Sequence, residues 1–306
     1  MKPLVSVVIP TYNRCKEVME CLDSVLKCNY KNLEVIVVDN ASTDNTLECL
    51  KNLYTGDSKI KIIHLRYNKM AAGGRNAGIK VSRGKYLLFL DSDNIVDPLM
   101  IDFLVEEMEN NKNLGLVGPL MLYEKDKKRI WFKGNKINYV TSKTSYLERG
   151  GVLGNKRFPE LINTDHIPNA FMTTKTIADS IGGFEQKYYI MYEEADFAAR
   201  IRKLKKDIVI ISKAVTYHNI PLPEEHIENE MRKWGCDNSL RAFHFSKNRS
   251  LYMKKYAPWY GKILYFMLFQ FAFMFLYCGV AIKNKRFDIC LSCVRGTVWG
   301  MRHSLI

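Results

Sequence analysis

Two aspartates one residue apart, Asp91 and Asp93, stand at the end of the apolar run KYLLFLD. Carboxylates this close repel each other unless a cation sits between or beside them. Hard divalent ions that keep diphosphate oxygens in their shell are the usual solution, so the pair points to metal-assisted handling of a phosphorylated ligand. A D-x-D alone is common by chance, and other polar residues that follow apolar runs extend the reading. Pro10, Thr11, Tyr12 and Asn13 follow the first run, and Asp39 and Asn40 follow the second. For Asn40, Ser42 and Thr43, ordinary turn and helix-cap chemistry serves equally well. The acidic run Glu193-Glu194-Ala195-Asp196 is either a set of reactive carboxylates or negative charge favourably placed at a helix N-terminus.

The elements that must position these residues are legible as alternating patterns. LVSVVIP, LEVIVVD, KIIHL, KYLLFLD and LGLVGP read as short buried strands rich in Val, Ile and Leu. Between them, Lys16 to Lys27 and Asn45 to Leu53 repeat apolar residues at helical spacing. Strands alternating with helices predict an α/β fold with a mainly parallel sheet covered on both faces. In such sheets ligands bind beyond the carboxyl ends of the strands, where the polar residues above fall.

Four segments in order carry a resemblance: VSVVIPTYNR (5–14), VVDNASTDNT (37–46), GGRNAGIKVSRGKYLLFLDSDN (73–94) and GGFEQKYYIMYEEADFAARIRK (182–203). Their order and spacing resemble family 2 glycosyltransferases of the GT-A (nucleotide-diphospho-sugar transferase) fold, over roughly residues 4–218. The tail segments RSLYMKKYAP and VRGTVWGMR look like the rhamnosyltransferase-like, membrane-associated branch. The resemblance implies an enzyme that moves one sugar, with inversion, from a nucleotide-diphosphate donor to a hydroxyl of a lipid-linked or cell-surface glycan acceptor. By position, Thr11, Tyr12 and Asp39, next to Pro10, would cradle the base. Arg75 would approach the diphosphate and Asp91 the ribose side, and Arg14 and Ser92 would also belong to the nucleotide-sugar site. Asp93 would anchor Mg²⁺ or Mn²⁺, with His218 as an additional ligand, although a lone histidine is as readily structural.

A departing nucleoside diphosphate needs its charge stabilised, and an acceptor hydroxyl needs a base. The family base position falls on Glu194, where the usual residue is the shorter Asp, so Asp196 or Glu193 stays open as the alternative. A processive polysaccharide synthase and an inactive relative acting as a scaffold are the competing readings. Synthases carry several membrane helices and a Gln-x-x-Arg-Trp that Arg232-Lys233-Trp234 does not match.

The 306 residues carry a formal charge of +14, with 47% hydrophobic and 25% charged content, which excludes a disordered chain. Residues 200–306 hold 19 Lys or Arg against 7 Asp or Glu, so the basic character belongs to the last third. Those charges cluster beside an apolar segment and no recognition motif appears, so a nucleic-acid partner is not expected. Eight cysteines lack framework spacing, and Cys290 and Cys293 lack the partners a zinc site needs. The first residues do not read as a signal peptide, so the catalytic part is expected in the cytoplasm.

Residues 263–282 run 20 positions without a charge, flanked by lysines, with Trp259, Tyr260 and Tyr265 where interfacial aromatics are expected. That length and flanking predict membrane association, either crossing or lying in one leaflet. The expected division is a catalytic domain over 1–218, a basic acceptor, lid and membrane-approach segment over 219–258, and a membrane-associated helix with an interfacial tail over 259–306. Within the middle segment, Arg241, Lys247, Arg249, Lys254 and Lys255 are expected to face an anionic membrane or a lipid-linked phosphate.

Overall fold

A computed structural model of the chain describes residues 2–154, 158–222 and 236–303. The expected lid lies largely over 223–235, outside the described residues. The first strands and helices alternate as the sequence predicts: β1 (Val5–Thr11), α1 (Cys15–Lys27), β2 (Leu33–Asp39), α2 (Thr46–Tyr54), β3 (Ile60–His64), α3 (Met70–Val81) and β4 (Tyr86–Leu90). There follow β5 (Asn94–Val96), α4 (Met100–Asn110), β6 (Leu114–Tyr123), β7 (Ile130–Phe132), β8 (Asn135–Ile137), β9 (Thr144–Tyr146) and β10 (Leu161–Asn163). After β11 (Ala170–Thr174), α5 (Lys175–Ser180) and α6 (Glu193–Lys203), β12 (Asp207–His218) completes the sheet.

The main sheet runs β10-β12-β6-β11-β4-β1-β2-β3, with β5 paired to β12 and β7 to β6. β3, β2, β1 and β4 are mutually parallel, and β12 is parallel to β6. Every residue of β2 and β4 is buried, the pattern of strands covered on both faces. β11, which the sequence reading does not mark as a strand, enters antiparallel between β4 and β6 and makes the sheet mixed.

Helix α3 reaches this sheet because it is glycine-rich on one side. A Cβ at Gly78 would sit 2.3 Å from a Val8 methyl, and one at Gly74 2.9 Å from Pro10 Cβ. The helix therefore lies directly on β1 and carries Arg75 and Asn76 inward. Asn76 clamps the segment after α5: its amide donates to Phe184 O at 2.8 Å and its Oδ1 accepts from Phe184 N at 2.7 Å. Gly182 and Gly183 precede that clamp with φ of +74° and +69°, a left-handed pair that favours glycine. Phe184 then packs into an aromatic cluster with Phe89, Phe171 and Phe197, stacked on Phe197 at 4.2 Å.

Among the described residues, the last third forms three helices: α7 (Ser239–Tyr256), α8 (Trp259–Lys283, with one π turn over Tyr265–Phe269) and α9 (Phe287–Arg302). α8 is long and apolar enough to cross a membrane by length and composition. Gly296 and Gly300 let α9 close on α7, where a Cβ would stand 2.3 Å from Phe243 O and 2.7 Å from Ser250 Cβ respectively.

The basic approach expected over 241–255 is only partly at the surface. Arg249 is buried, donates to Tyr277 Oη at 2.7 Å and stacks on Phe245 and Phe273. Lys247 is buried, with Nζ donating to Lys187 O at 3.0 Å, and burial lowers its pKa to about 8. Charges that pattern as a solvated face are used here to join α7 to its neighbours.

Candidate active site

The carboxyl ends of β1, β2, β4 and β12 and the N-terminus of α6 converge. Thr11 and Asp39, paired across β1 and β2, end those strands. Both are buried, and Thr11 Oγ1 and Asp39 Oδ1 have no hydrogen-bond partner. Buried polar atoms are normally satisfied, so two orphans side by side mark a place for a polar ligand. The other Asp39 oxygen lies 2.6 Å from His64 Nδ1 at the end of β3. Tyr12 is exposed and Pro10 half-buried beside them.

After β4, Asp91 faces Arg75, Ser92 is buried, and Asp93 lies between Arg14 and His218. Arg14 pairs with Asp93 Oδ2. Asp93 Oδ1 is buried without a hydrogen-bond partner and stands 3.4 Å from His218 Nε2. Burial alone would raise the Asp93 pKa, but His218 and Arg14 outweigh it and hold the carboxyl down at about 2. His218 is further fixed by Asn169 Nδ2 at 2.9 Å and by the Trp131 ring at 4.3 Å. The carboxylate oxygen suits Mg²⁺ or Mn²⁺ when phosphate and water complete the shell, whereas the imidazole nitrogen is a softer ligand than Mg²⁺ prefers. Among the described residues, no group of three or more His, Cys, Asp or Glu side chains is placed to hold a metal on its own.

Arg75, expected to approach a diphosphate directly, is sealed beneath the site at 1% exposure. Its Nη2 donates to Asp91 Oδ1 and Glu194 Oε1, each at 2.7 Å, and its Nη1 lies 3.6 Å from Glu193. Phe171 and Phe184 flank the guanidinium at 5.3 and 5.4 Å. The arginine thus spaces three carboxylates that would otherwise repel. Burial pushes Glu194 up to about 8, against the pull of Arg75 and with the push of Glu193 and Asp91. Its side chain keeps 17% exposure, where Glu193 keeps 7%.

Asp196 does not share that position. It is fully buried, with Oδ2 accepting from Arg200 at 2.7 Å and Oδ1 from Lys255 and Tyr256, each at 2.6 Å. Its oxygens tie α6 to the end of α7, and both are occupied by these partners.

Two residues absent from the sequence reading complete the site. Asn169, at φ +59°, accepts from Asp91 N, donates its own N–H toward Glu194 Oε1 at 3.3 Å and holds His218. Asn248 of α7 donates to the carbonyls of Tyr188, Ile190 and Met191 at 2.7 to 2.8 Å. It braces a stretch in which Tyr189, Met191 and Tyr192 all have positive φ, a conformation non-glycine residues adopt only when surroundings enforce it. Tyr192 directly precedes α6, so α7 helps set where Glu194 starts. An asparagine followed by a small residue near a strand is too common to single out Asn169, and Asn248 acts across 57 to 60 positions of sequence.

Residues 6–182 match the model of glycosyl transferase family 2, and the chain belongs to that family. Glycosyltransferase GlyG of Streptococcus pneumoniae is 34% identical over 148 residues, covering 48% of this chain and 47% of that protein. An uncharacterized glycosyltransferase of Bacillus subtilis, EpsJ, is 37% identical over 118 residues, covering 39% and 34%. The matched region thus spans less than half the length of either relative. Among solved structures, GalNAc-T7 with UDP, GalNAc and Mn²⁺ aligns with a TM-score of 0.61 at 14% identity over 72% of this chain and 44% of that one. The mannosyltransferase PcManGT of Pyrobaculum calidifontis, with GDP-Man and Mn²⁺, aligns at 0.56 and 15% identity over 98% and 88%. These likenesses establish the GT-A fold.

Proposed function

We propose that the chain is a glycosyltransferase that moves a single sugar, with inversion, from a nucleotide-diphosphate donor to an acceptor hydroxyl at the cytoplasmic face of a membrane. The observation that carries it is the single guanidinium of Arg75 holding Asp91 and Glu194 at 2.7 Å each. A strand-end carboxylate on the donor side and a raised-pKa carboxylate on the acceptor side are thereby fixed relative to each other. In one in-line displacement the acceptor oxygen bonds to the anomeric carbon and the bond to the diphosphate breaks. The hydroxyl proton passes to Glu194, whose pKa near 8 is well matched to that task.

Thr11 and Asp39, with Pro10 and Tyr12, would receive the base; their orphaned oxygens are free to pair with its edge. Asp91 and Ser92 would bound the ribose side. Arg14, half-exposed above Asp93, is the cation that reaches the diphosphate, and Arg75 acts through the carboxylates rather than by contact. Asp93 and His218 would hold Mg²⁺ or Mn²⁺, which supplies Lewis-acid stabilisation of the departing diphosphate.

The division into a catalytic part over 1–218, an acceptor-side segment over 219–258 and a membrane part over 259–306 follows this reading, as does the rhamnosyltransferase-like, lipid-linked or glycan acceptor class. A processive synthase is less favoured. The chondroitin and hyaluronan synthases of Pasteurella multocida match only 38% of this chain and 12% of their own length. The test is to incubate the full chain with a panel of nucleotide sugars and lipid-linked acceptors and to follow nucleoside diphosphate release. Release with one donor, dependent on acceptor, is expected; an intact protein that binds no nucleotide sugar would contradict the proposal.

A further inference from the structure

Helix α8 is apolar on every side in sequence, yet it has two distinct sides in the fold. Gly261, Tyr265, Gln270, Tyr277, Cys278 and Ala281 are buried along one edge from end to end. Gln270 Nε2 donates to Thr297 O at 3.3 Å, and Tyr277 Oη accepts from Arg249. The N-terminal end is pinned to the catalytic part, since a Cβ at Gly261 would stand 2.4 Å from Tyr139 O. The opposite side carries Ile263, Met267, Phe271 and Phe275, four residues apart and all exposed, up to 69% at Met267. Only 22% of its most apolar stretch is buried. Phe287 and Leu291 of α9 extend the same exposed apolar character.

We infer that α8 and α9 seat this enzyme in a single leaflet of an anionic bilayer, with α8 lying in the plane of the membrane. This deepens the membrane association proposed above and rests on it. A crossing helix would have to take its docked neighbours along. α7 brings Lys247, Arg249, Lys254 and Lys255, and α9 brings Asp288, Arg295 and Arg302, and charges at membrane depth are costly. A helix lying in the interface needs one apolar face and a polar or docked opposite side, which is the arrangement found. Lys262, Lys283, Lys285 and Arg295 border the apolar face, and Trp259 and Tyr260 are exposed at one end. Cations and interfacial aromatics around an apolar strip complement anionic headgroups rather than another protein. Seated this way, the site at the start of α6 is held at a fixed height above the headgroups, since α6 and α7 are tied through Asp196 and Lys255.

The experiment uses the full chain carrying an epitope tag at each end, added to preformed vesicles of phosphatidylglycerol and phosphatidylcholine and to vesicles of phosphatidylcholine alone. Flotation with the anionic vesicles, and loss of both tags to protease added outside, is the expected result. A protected C-terminal tag on floated protein would overturn the in-plane seat while leaving membrane association standing. Absence of flotation with any vesicle would overturn both, as would a stable dimer that ignores vesicles, which would assign the face to a second copy. Met267→Glu with Phe275→Glu changes only exposed side chains, so an unchanged melting temperature is expected together with an at least about tenfold lower vesicle-bound fraction. Undiminished flotation of that variant would overturn the face assignment.

Discussion

Arg75 and Glu194 are joined by a 2.7 Å ion pair between residues 119 apart in sequence. The pair ties the glycine-rich helix α3 to the acidic start of α6, and Phe184, from the segment between, stacks on the same guanidinium. Two sequence motifs are thus halves of one structural unit.

That pair sets a pH dependence. Glu194 must be ionised to accept a proton, and burial raises its pKa to about 8, so the transfer rate should fall as pH drops below about 8. Arg75 favours the ionised form, so Arg75→Gln should move this acid limb to higher pH, whereas Arg75→Lys should retain much of it. The check is the pH profile of kcat for the three proteins, and superimposable profiles would contradict the coupling. The same raised pKa means that the contribution of Glu194 to stability is lost as pH rises from its ordinary range toward 8. The melting temperature of Glu194→Gln should therefore vary less with pH across that window.

Chelation and Asp93→Ala should each depress transfer by roughly 10² to 10³, the usual worth of a group stabilising developing charge. Rate should suffer more than donor affinity, because the interaction strengthens as the diphosphate departs. Added Mn²⁺ should restore the chelated wild type and leave Asp93→Ala impaired. Full turnover of either in excess chelator would remove the metal from the account.

Asn248→Ala leaves the carbonyls of Tyr188, Ile190 and Met191 without their side-chain donor. A loss of about 1 to 3 kcal/mol in stability is expected, read as a lower melting temperature, together with reduced transfer because the loop before Glu194 relaxes. A variant with normal stability and activity would show that the left-handed stretch holds without α7.

A chain ending at Ala257 should be less stable than the full protein in detergent. Arg249 would lose Tyr277 and the Phe273 ring, and α7 would lose the cover of α9. Thermal unfolding of the two proteins decides this; equal stability would mean that the C-terminal helices contribute nothing to the catalytic part.

Much of this was legible in sequence. The strands of β1, β2, β4 and β6 were readable because strands covered on both faces are continuous apolar runs, and the ends of β1, β2 and β4 located Thr11, Asp39, Asp91 and Asp93, whereas β3, at the sheet edge, keeps Lys61 and His64 exposed. What was not legible depended on long-range pairing. The burial of Arg75 follows from glycines that let α3 touch β1, and the occupation of Asp196 Oδ1 by Lys255 and Tyr256 follows from docking of α7. Arg249 and Lys247 pattern as surface charge, and only the fold shows them turned inward. α8 gave no sidedness because its docked and exposed edges are both apolar.

The central claim, that Glu194 takes the acceptor proton in a sugar transfer, is tested most directly by the transfer rate of Glu194→Gln beside wild type and Asp196→Asn at the same pH. Glu194→Gln keeps the shape and removes the basicity, and should lose roughly 10² to 10⁴ in rate with donor affinity little changed. Asp196→Asn should lose stability, by about 3 to 5 kcal/mol for a broken buried pair, and keep transfer in whatever fraction is folded. Near wild-type transfer by a folded Glu194→Gln, with transfer abolished in folded Asp196→Asn, would contradict the account.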